Sequence, residues 1–235
     1  MLQNYFKIAY RNLLKNKVFG LINILGLAIG IAACLLIIHY VRFELSYEDF
    51  HQNADNTYRV TLDLYNGSEY VVTDCETYGP LGPMLKAQMP EVLDFVRMYH
   101  NESREVKVGT HQFFENRIYF ADSSALKVFT YDVLHGNPTT ALSYPFQTIL
   151  TASMANKYFG RLNVVGESIE IDDDLYKISA VIADLPPNTH LKFDFLLSHT
   201  TIQKMWSWYE EYAWNGNNEY TYLLMSPRTD LAEFN

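Results

Sequence analysis

The feature that most constrains this chain is an uninterrupted apolar run from Val18 to Ile38. None of its 21 residues is charged, and Asn23 alone carries a side-chain amide. A helix of this length spans roughly 30 Å, the thickness of the hydrocarbon core of a bilayer. A soluble helix would need a polar stripe facing water, and this run has none. The sequence therefore predicts a transmembrane helix.

Two other interpretations of the run fit its residues less well. A cleaved signal peptide has an apolar region of only about 7–15 residues with small residues at its end, whereas this run is longer and ends in bulky side chains. The segment from Ile31 to Cys34 looks like a bacterial lipobox, with Cys34 as the lipidated residue. The apolar run continues directly after Cys34, however, where a lipoprotein normally becomes polar.

The charges on the two sides of the run predict its orientation. Residues 1–17 contain four Lys and Arg residues and no acidic residue, whereas acidic residues follow the run from Glu44 onward. Basic residues favour the cytoplasmic side of a membrane. We therefore expect a membrane protein with a cytoplasmic N-terminus and with the residues after about 42 on the outer side of the membrane.

Three segments follow from this topology: a cytoplasmic amphipathic helix over 1–17, a transmembrane helix over 18–42 and an exported domain over 43–235. In the first segment Lys7, Arg11 and Lys15 share one helix face, opposite apolar residues. Such a helix lies on membrane lipid, although the same charges are also explained as a simple topology signal. All 27 acidic side chains lie in the rest of the chain, and the formal net charge of the protein is −9. Such an acidic chain would repel the phosphates of a nucleic acid, which excludes nucleic acid as a partner.

Small residues within the span form a candidate packing site. Gly26 and Gly30 are separated by three residues, and Ala33 continues the same face. Small residues at this spacing let another membrane helix approach closely, although glycines also occur by chance in membrane helices. The two cysteines, Cys34 in the span and Cys75 on the exported side, cannot plausibly pair within one chain, so the exported domain is expected to fold without a disulfide.

The exported segment alternates short strand and helix patterns, which predicts an α+β or mixed α/β domain. Its clearest helix is Ala152–Phe159, which Gly160 would terminate. A second helix is expected over 123–130, with Ser123 or Ser124 as its cap. The predicted strands cover residues 58–65, 94–100, 105–108, 116–121, 148–151, 168–171, 175–184 and 220–225, and a further short helix covers 80–89.

No motif for catalysis, a cofactor or a metal occurs in the chain. The P-loop, the G-x-S-x-G nucleophile turn, the H-E-x-x-H zinc motif and the C-x-x-C pair are all absent. His39 suits the membrane interface better than a functional polar site. The acidic run Asp172–Asp174 lacks the ligand spacing of a calcium loop and suits a hairpin tip. One aromatic cluster is best explained by core packing with a mobile rim, and a ligand platform or a partner surface is the alternative. The members of this cluster are Trp206, Trp208, Tyr209, Tyr212 and Trp214.

Several segments together resemble a known family. Residues 4–60, with NYFKIAYRNLLKNKVFGLINILGLAIGIAACLLI at their start, are similar to the opening of MacB/FtsX-type permease subunits of ABC transporters, particularly those common in Bacteroidetes. Three exported segments resemble the periplasmic core domain of the same family: 120–142, 149–171 and 176–198. One departure is Val164-Val165-Gly166, where the family usually has a proline before the Ile/Val-Gly pair, and it puts only the local turn in doubt.

The resemblance implies a permease of the bacterial inner membrane, with the residues after about 42 in the periplasm. Such a permease transmits ATP-driven movement across the membrane and makes no bonds itself. The family has a porter-like periplasmic layer plus a smaller lobe, and its permeases assemble as homo- or heterodimers with a separate or fused ATPase. Some members also engage a periplasmic adaptor, and efflux, lipoprotein release and related export are the activities implied. The family implies four spans, so we also expect Asn235 to be a truncation point, with the final Thr229–Asn235 as an unfinished helix.

A single-pass sensor or binding module with an exported α/β domain is the alternative function. It explains the topology and the lack of catalytic motifs equally well. It does not explain the segments that resemble permeases, and the 17 residues before the span are too few for a cytoplasmic output domain.

Overall fold

A computed structural model describes residues 2–100, 103–206, 209, 214–227, 229, 230 and 234. The chain divides into two compact units, one ending at Tyr47 and the other beginning at Glu48. Each unit has its own pattern of apolar residues, long and continuous in the first and broken into short strands in the second.

The first unit consists of two helices, α1 (Leu2–Lys15) and α2 (Lys17–Leu45). They are separated at Asn16, whose backbone angles (φ −112°, ψ 60°) leave the helical region. Helix α2 contains the predicted span and continues three residues beyond its expected end at 42. Its length and apolar composition suit a membrane-spanning helix. Except for Gly20, its residues are exposed, as expected for a helix whose natural surroundings are lipid.

The second unit contains fourteen strands, four α-helices and a short 3-10 helix (Ala54–Asn56) among its described residues. The strands are β1 (Thr57–Arg59), β2 (Leu62–Asn66), β3 (Glu69–Asp74), β4 (Thr77–Tyr78), β5 (Val92–His100), β6 (Arg104–Val108), β7 (His111–Glu115), β8 (Ile118–Ala121), β9 (Val133–Gly136), β10 (Gln147–Thr151), β11 (Ser168–Ile171), β12 (Asp174–Ile182), β13 (Phe195–Ser198) and β14 (Asn217–Met225). The helices are α3 (Leu81–Gln88), α4 (Ala125–Val128), α5 (Ala152–Phe159) and α6 (Thr200–Met205).

Twelve of these strands form one mixed sheet. Its order is β1-β14-β5-β8-β13-β10-β12-β11-β6-β7, with β4 paired to β14 and β9 paired to β12. The pairs β10–β12 and β8–β13 are parallel and the other pairs are antiparallel. Strands β2 and β3 form a separate two-stranded hairpin. The predicted α+β class is therefore confirmed.

Both faces of the central strands are buried. Along β13, Leu196 contributes to one apolar cluster, and its neighbours Phe195 and Leu197 contribute to the other. Helix α4 packs on the first face through Ala125 and Val128. Helices α5 and α6 cover the second face. Burial on both sides explains why these strands read as continuous apolar runs rather than as alternating ones.

Helix α5 has the predicted bounds, and Gly160 ends it in the left-handed conformation at φ 67°. The expected strand over 58–65 is wrong in part, because residues 60 and 61 break it into β1 and β2, which join different sheets. The helix expected over 123–130 is shorter in the structure, where α4 covers only Ala125–Val128. Ser124 precedes it without a side-chain cap, because its hydroxyl donates to the Phe95 carbonyl instead.

Candidate functional site

The part of the chain that the structure describes holds no group of three or more His, Cys, Asp or Glu side chains arranged for a metal ion. The most organised polar site on the surface of the second unit is built around Glu48. We call Glu48, His51, Thr189, His190 and Tyr222 the Glu48 site.

Glu48 is held by contacts with a loop that lies about 140 positions later in the sequence. Its backbone N–H donates to the Asn188 carbonyl over 3.1 Å. Its carboxylate accepts hydrogen bonds from the Thr189 hydroxyl (2.8 Å to Oε1) and from the His190 backbone N–H (2.6 Å to Oε1). The His190 ring nitrogen Nδ1 also lies 2.6 Å from Oε1. One side chain therefore binds both backbone and side-chain groups of this loop.

Glu48 adopts a backbone conformation that non-glycine residues avoid, with φ at 64°. This left-handed region costs an L-residue roughly 1–2 kcal/mol. The contacts of the carboxylate and the backbone N–H offset that cost. The strain and the contacts together mark Glu48 as a specifically placed residue.

The two histidines of the Glu48 site are oriented by further partners. His51 Nδ1 accepts a hydrogen bond from the Thr130 backbone N–H (3.0 Å), so in the neutral ring the proton lies on Nε2, which is 3.1 Å from Glu48 Oε2. His190 Nε2 lies 2.9 Å from the Tyr222 hydroxyl on β14. The site thereby connects Glu48 to the central sheet.

These neighbours control the charge of Glu48. Burial of the carboxyl raises its pKa, but the hydrogen bonds from His190, His51 and Thr189 outweigh burial and hold the pKa of Glu48 well below its usual range. Glu48 is therefore an ionised acceptor at neutral pH. A cavity of about 420 Å³ lies beside it, and Arg59, Phe129 and Tyr222 contribute to its walls.

A second polar cluster is buried under the sheet, around Glu219 of β14. His199 Nε2 lies 3.1 Å from Glu219 Oε1, the Tyr209 hydroxyl donates to the same oxygen, and Arg97 Nε is 3.9 Å from Oε2. Glu219 is fully buried. Burial raises the pKa of Glu219, but His199 and Arg97 outweigh it and lower this pKa overall. The cluster stabilises the junction of β14, β5 and α6 rather than forming an accessible reaction site.

The structure places the residues predicted as sites as follows. Gly26, Gly30 and Ala33 lie on exposed α2, and a methyl group added at either glycine would meet no atom within 4 Å. Asp172 lies in the predicted hairpin turn, where its carboxylate accepts hydrogen bonds from Arg104 Nη1 (2.6 Å) and from the Glu105 backbone N–H (2.9 Å). These contacts fit a structural turn rather than a calcium site.

The aromatic cluster is divided between core and surface. The Trp206 ring packs edge-on against Tyr99 of β5, and Tyr209 is buried. Trp214 is half exposed beside Tyr78. Trp208 and Tyr212 lie outside the described residues. Core packing, the preferred explanation, thus holds for Trp206 and Tyr209.

Sequence reasoning did not find the Glu48 site. Glu48 and His51 stand three residues apart and give only a weak local signal. Their partners Thr189 and His190 are supplied by the fold from a distant loop. A pattern search along the chain has no means of joining the two segments.

Comparisons with known proteins agree on one architecture. Residues 21–235 match the family model described as the MacB-like periplasmic core domain. A domain of a Porphyromonas gingivalis protein that is named as a permease superposes with a TM-score of 0.64, at 17% identity over 78% of both chains. A search of curated proteins gave no significant match.

Two further solved structures are similar to the chain. The periplasmic region of MacB from Actinobacillus actinomycetemcomitans gives a TM-score of 0.54 at 12% identity, over 76% of this chain and 79% of that one. The extracellular domain of the noncanonic ABC-type transporter YknZ from Gram-positive bacteria gives 0.54 at 14% identity, over 76% of this chain and 88% of that one. At such identities the structural similarity shows the fold alone.

Proposed function

Since the chain belongs to the family of MacB-like periplasmic core domains, which confirms the resemblance seen in its sequence, we propose that it acts as a permease subunit of an ABC transporter. In this role the subunit transmits ATP-driven movement across the membrane to its periplasmic domain and catalyses no reaction itself. Export, such as efflux or lipoprotein release, is the activity that the family suggests. The observation that carries the proposal is the family match, which covers residues 21–235 and so includes most of α2.

The chain is a membrane-anchored protein with an extracytoplasmic domain, since one apolar helix precedes a domain of periplasmic type. We propose that residues 1–17 lie on the cytoplasmic leaflet, that residues 18–42 span the inner membrane and that residues 43–235 form the periplasmic domain. Basic residues on the N-terminal side of the span support this orientation. Tyr5, on the predicted apolar face of α1, is exposed, which supports contact of this helix with membrane lipid.

Three kinds of protein partner belong to this proposal. The chain has no P-loop, so ATP hydrolysis is assigned to an ABC ATPase subunit. A second permease, identical or related, would pack against the small face of α2 at Gly26, Gly30 and Ala33, where the helix leaves open space. A periplasmic adaptor is the third candidate.

Purification of the tagged full chain from membranes of its own bacterium tests the proposed function. After mild cross-linking we expect an ATPase with a P-loop to be recovered with the chain, together with ATP hydrolysis that vanadate inhibits. An unrelated single-span protein with the same tag is the control. Recovery of the chain with a sensor kinase, or without any ATPase, would contradict the permease role.

Cysteine labelling tests the orientation. In a chain that carries Cys34→Ala and Cys75→Ser, single cysteines replace Lys7 and the exposed Tyr144. A maleimide that cannot cross membranes should label position 144 in intact spheroplasts and position 7 only after permeabilisation. The reverse pattern would overturn the orientation.

A further inference from the structure

The chain between α2 and the second unit is short. Helix α2 ends at Leu45, and the Ser46 hydroxyl and backbone N–H both donate to the Phe43 carbonyl, at 2.7 and 3.1 Å. Only Ser46 and Tyr47 separate the end of the helix from Glu48. From Glu48 onward the chain is attached to its own domain, through the backbone N–H and through the carboxylate.

The attachment continues residue by residue after Glu48. The Gln52 backbone N–H donates to the Thr130 hydroxyl (2.9 Å), and the Asn53 amide nitrogen lies 3.1 Å from the Lys127 carbonyl and 3.2 Å from the Val128 carbonyl. The His51 ring packs against the rings of Phe129 and Tyr131. Strand β1 then pairs with β14. Residues 48–59 therefore contain no long unattached stretch.

Glu48 is the first of these attachments and the one with the most contacts. Its side chain joins the loop at 188–190 and, through His190, the Tyr222 hydroxyl of β14. A surface carboxylate of a soluble linker would need none of these partners, and a left-handed backbone at a glutamate would be avoided. The arrangement is therefore suited to fixing the start of the domain.

We infer that Glu48 is a positioning residue that fastens the segment leaving the membrane helix to the central sheet. Displacement of α2 is then passed to β14 through the Glu48 site instead of being absorbed by a flexible linker. The inference rests on the proposed permease role, in which the subunit has ATP-driven movement to pass on. The attachment itself is a property of this chain and can be measured alone.

Amide hydrogen exchange on the full chain in lipid nanodiscs measures the attachment. The backbone N–H groups of Glu48, Thr130 and His190 are direct reporters, since each donates within the attached segment or the Glu48 site. The test variant is Glu48→Gln, which keeps the size and removes the charge. The matched control is Asp49→Asn, the same change at the next, exposed residue.

We expect the His190 amide to exchange about fivefold faster in Glu48→Gln, because the acceptor of its hydrogen bond loses its negative charge. Amides of β10 should accelerate by no more than this factor, and all reporters in Asp49→Asn should keep their wild-type rates. If the reporter amides exchange at the same rates in Glu48→Gln, in Glu48→Ala and in Asp49→Asn, the inference is wrong. If the reporter amides already exchange at unprotected rates in the wild type, no attachment exists and the inference is also wrong.

The two experiments separate failure of the permease role from failure of the attachment. The exchange measurement needs no ATPase, so a purification without ATPase would remove the permease role and leave the attachment intact. Where the ATPase is recovered, addition of ATP should alter exchange in β14 of the wild-type complex and less in the Glu48→Gln complex. An equal response in both complexes would overturn transmission through Glu48.

Discussion

Arg97 and Asp122 form a two-pronged ion pair that joins β5 to the turn after β8. Arg97 Nε lies 3.0 Å from Asp122 Oδ2, and Nη2 lies 2.8 Å from Oδ1. The Arg97 backbone N–H donates to the same carboxylate (2.8 Å), and Nη1 donates to the Gly79 carbonyl (2.9 Å). Burial raises the pKa of Asp122, but Arg97 outweighs it and lowers this pKa overall. The Asp122 carboxylate thereby balances the charge of the buried Arg97 guanidinium, which also lies beside Glu219.

Replacement of Asp122 by Asn should destabilise the fold strongly. Both side chains are mostly buried, with 15% of Arg97 and 14% of Asp122 exposed. Removing the Asp122 charge leaves the buried Arg97 guanidinium without its two-pronged partner and with the more distant Glu219 carboxylate, 3.9 Å away, which costs about 3 kcal/mol. Urea unfolding of the solubilised chain, followed by tryptophan fluorescence, measures this loss.

The pair of Arg117 and Asp194 provides the matched control for Asp122→Asn. These residues also approach to 3.0 Å, but 46% of Arg117 is exposed. Burial raises the pKa of Asp194 above its ordinary value, so its ionised form gains little from folding. Asp194→Asn should therefore cost less than about 1 kcal/mol. Equal losses for the two substitutions would contradict the buried-charge explanation.

A methyl group at Gly79 should be tolerated only when the neighbouring hydroxyl is removed. A Cβ at this position would overlap the Tyr209 hydroxyl and lie 3.1 Å from Glu219 Oε1. Gly79→Ala should therefore cost about 1–3 kcal/mol through overpacking. In a Tyr209→Phe background the same substitution should cost clearly less, because the clashing oxygen is gone. A double-mutant cycle in urea measures the difference, and additive effects would show that Gly79 is required for another reason.

The stability that Glu48 provides should decrease in acid. The folded state holds the pKa of Glu48 below the ordinary carboxyl value of 4.5. A group with a lowered pKa stabilises the fold at pH values above its unfolded pKa, and this stabilisation is lost as the pH falls through the folded pKa. At pH 7, Glu48→Gln should cost about 1 kcal/mol, since the site is partly open to water. The difference from the wild type should be smaller at about pH 3, and a constant or growing difference would contradict the pKa direction.

The sequence predicts the elements whose signals are local. The apolar run predicts α2, and an apolar helix face followed by Gly160 predicts α5 with its left-handed end. Strands β11 and β12 flank the acidic turn as expected. Strand β7 is missed, because it lies at the edge of the sheet and its first four residues are all exposed, without alternation. The break between β1 and β2 is missed because the alternating pattern runs through it.

The polar sites could not be predicted, because their partners are distant in sequence. Glu219 follows two asparagines and has the sequence context of a surface residue, yet it is fully buried. Its burial depends on His199 and Arg97, which only the folded sheet brings to it. Glu48 likewise depends on His190. Charged residues in unremarkable local surroundings are therefore the positions where tertiary structure adds most.

The small face of α2 leads to a prediction about assembly. Gly26 and Gly30 lie about one helical turn apart, and beside each of them the space that a side chain would fill is open. If a second permease helix packs there, a large side chain would hold the two backbones apart and weaken their contact. Gly30→Leu should therefore reduce recovery of a differently tagged second copy in a detergent pull-down.

Ala28→Leu is the matched control for Gly30→Leu. Position 28 lies on nearly the opposite side of α2 from positions 26 and 30, because each residue turns a helix by about 100°. Both substitutions add a leucine side chain to the same apolar helix, so their effects on insertion into the membrane should be similar. A loss of pull-down in Gly30→Leu alone would locate the contact on the small face. Equal recovery from both variants and the wild type would exclude this face as the dimer contact, and an equal loss in both would point to altered insertion instead.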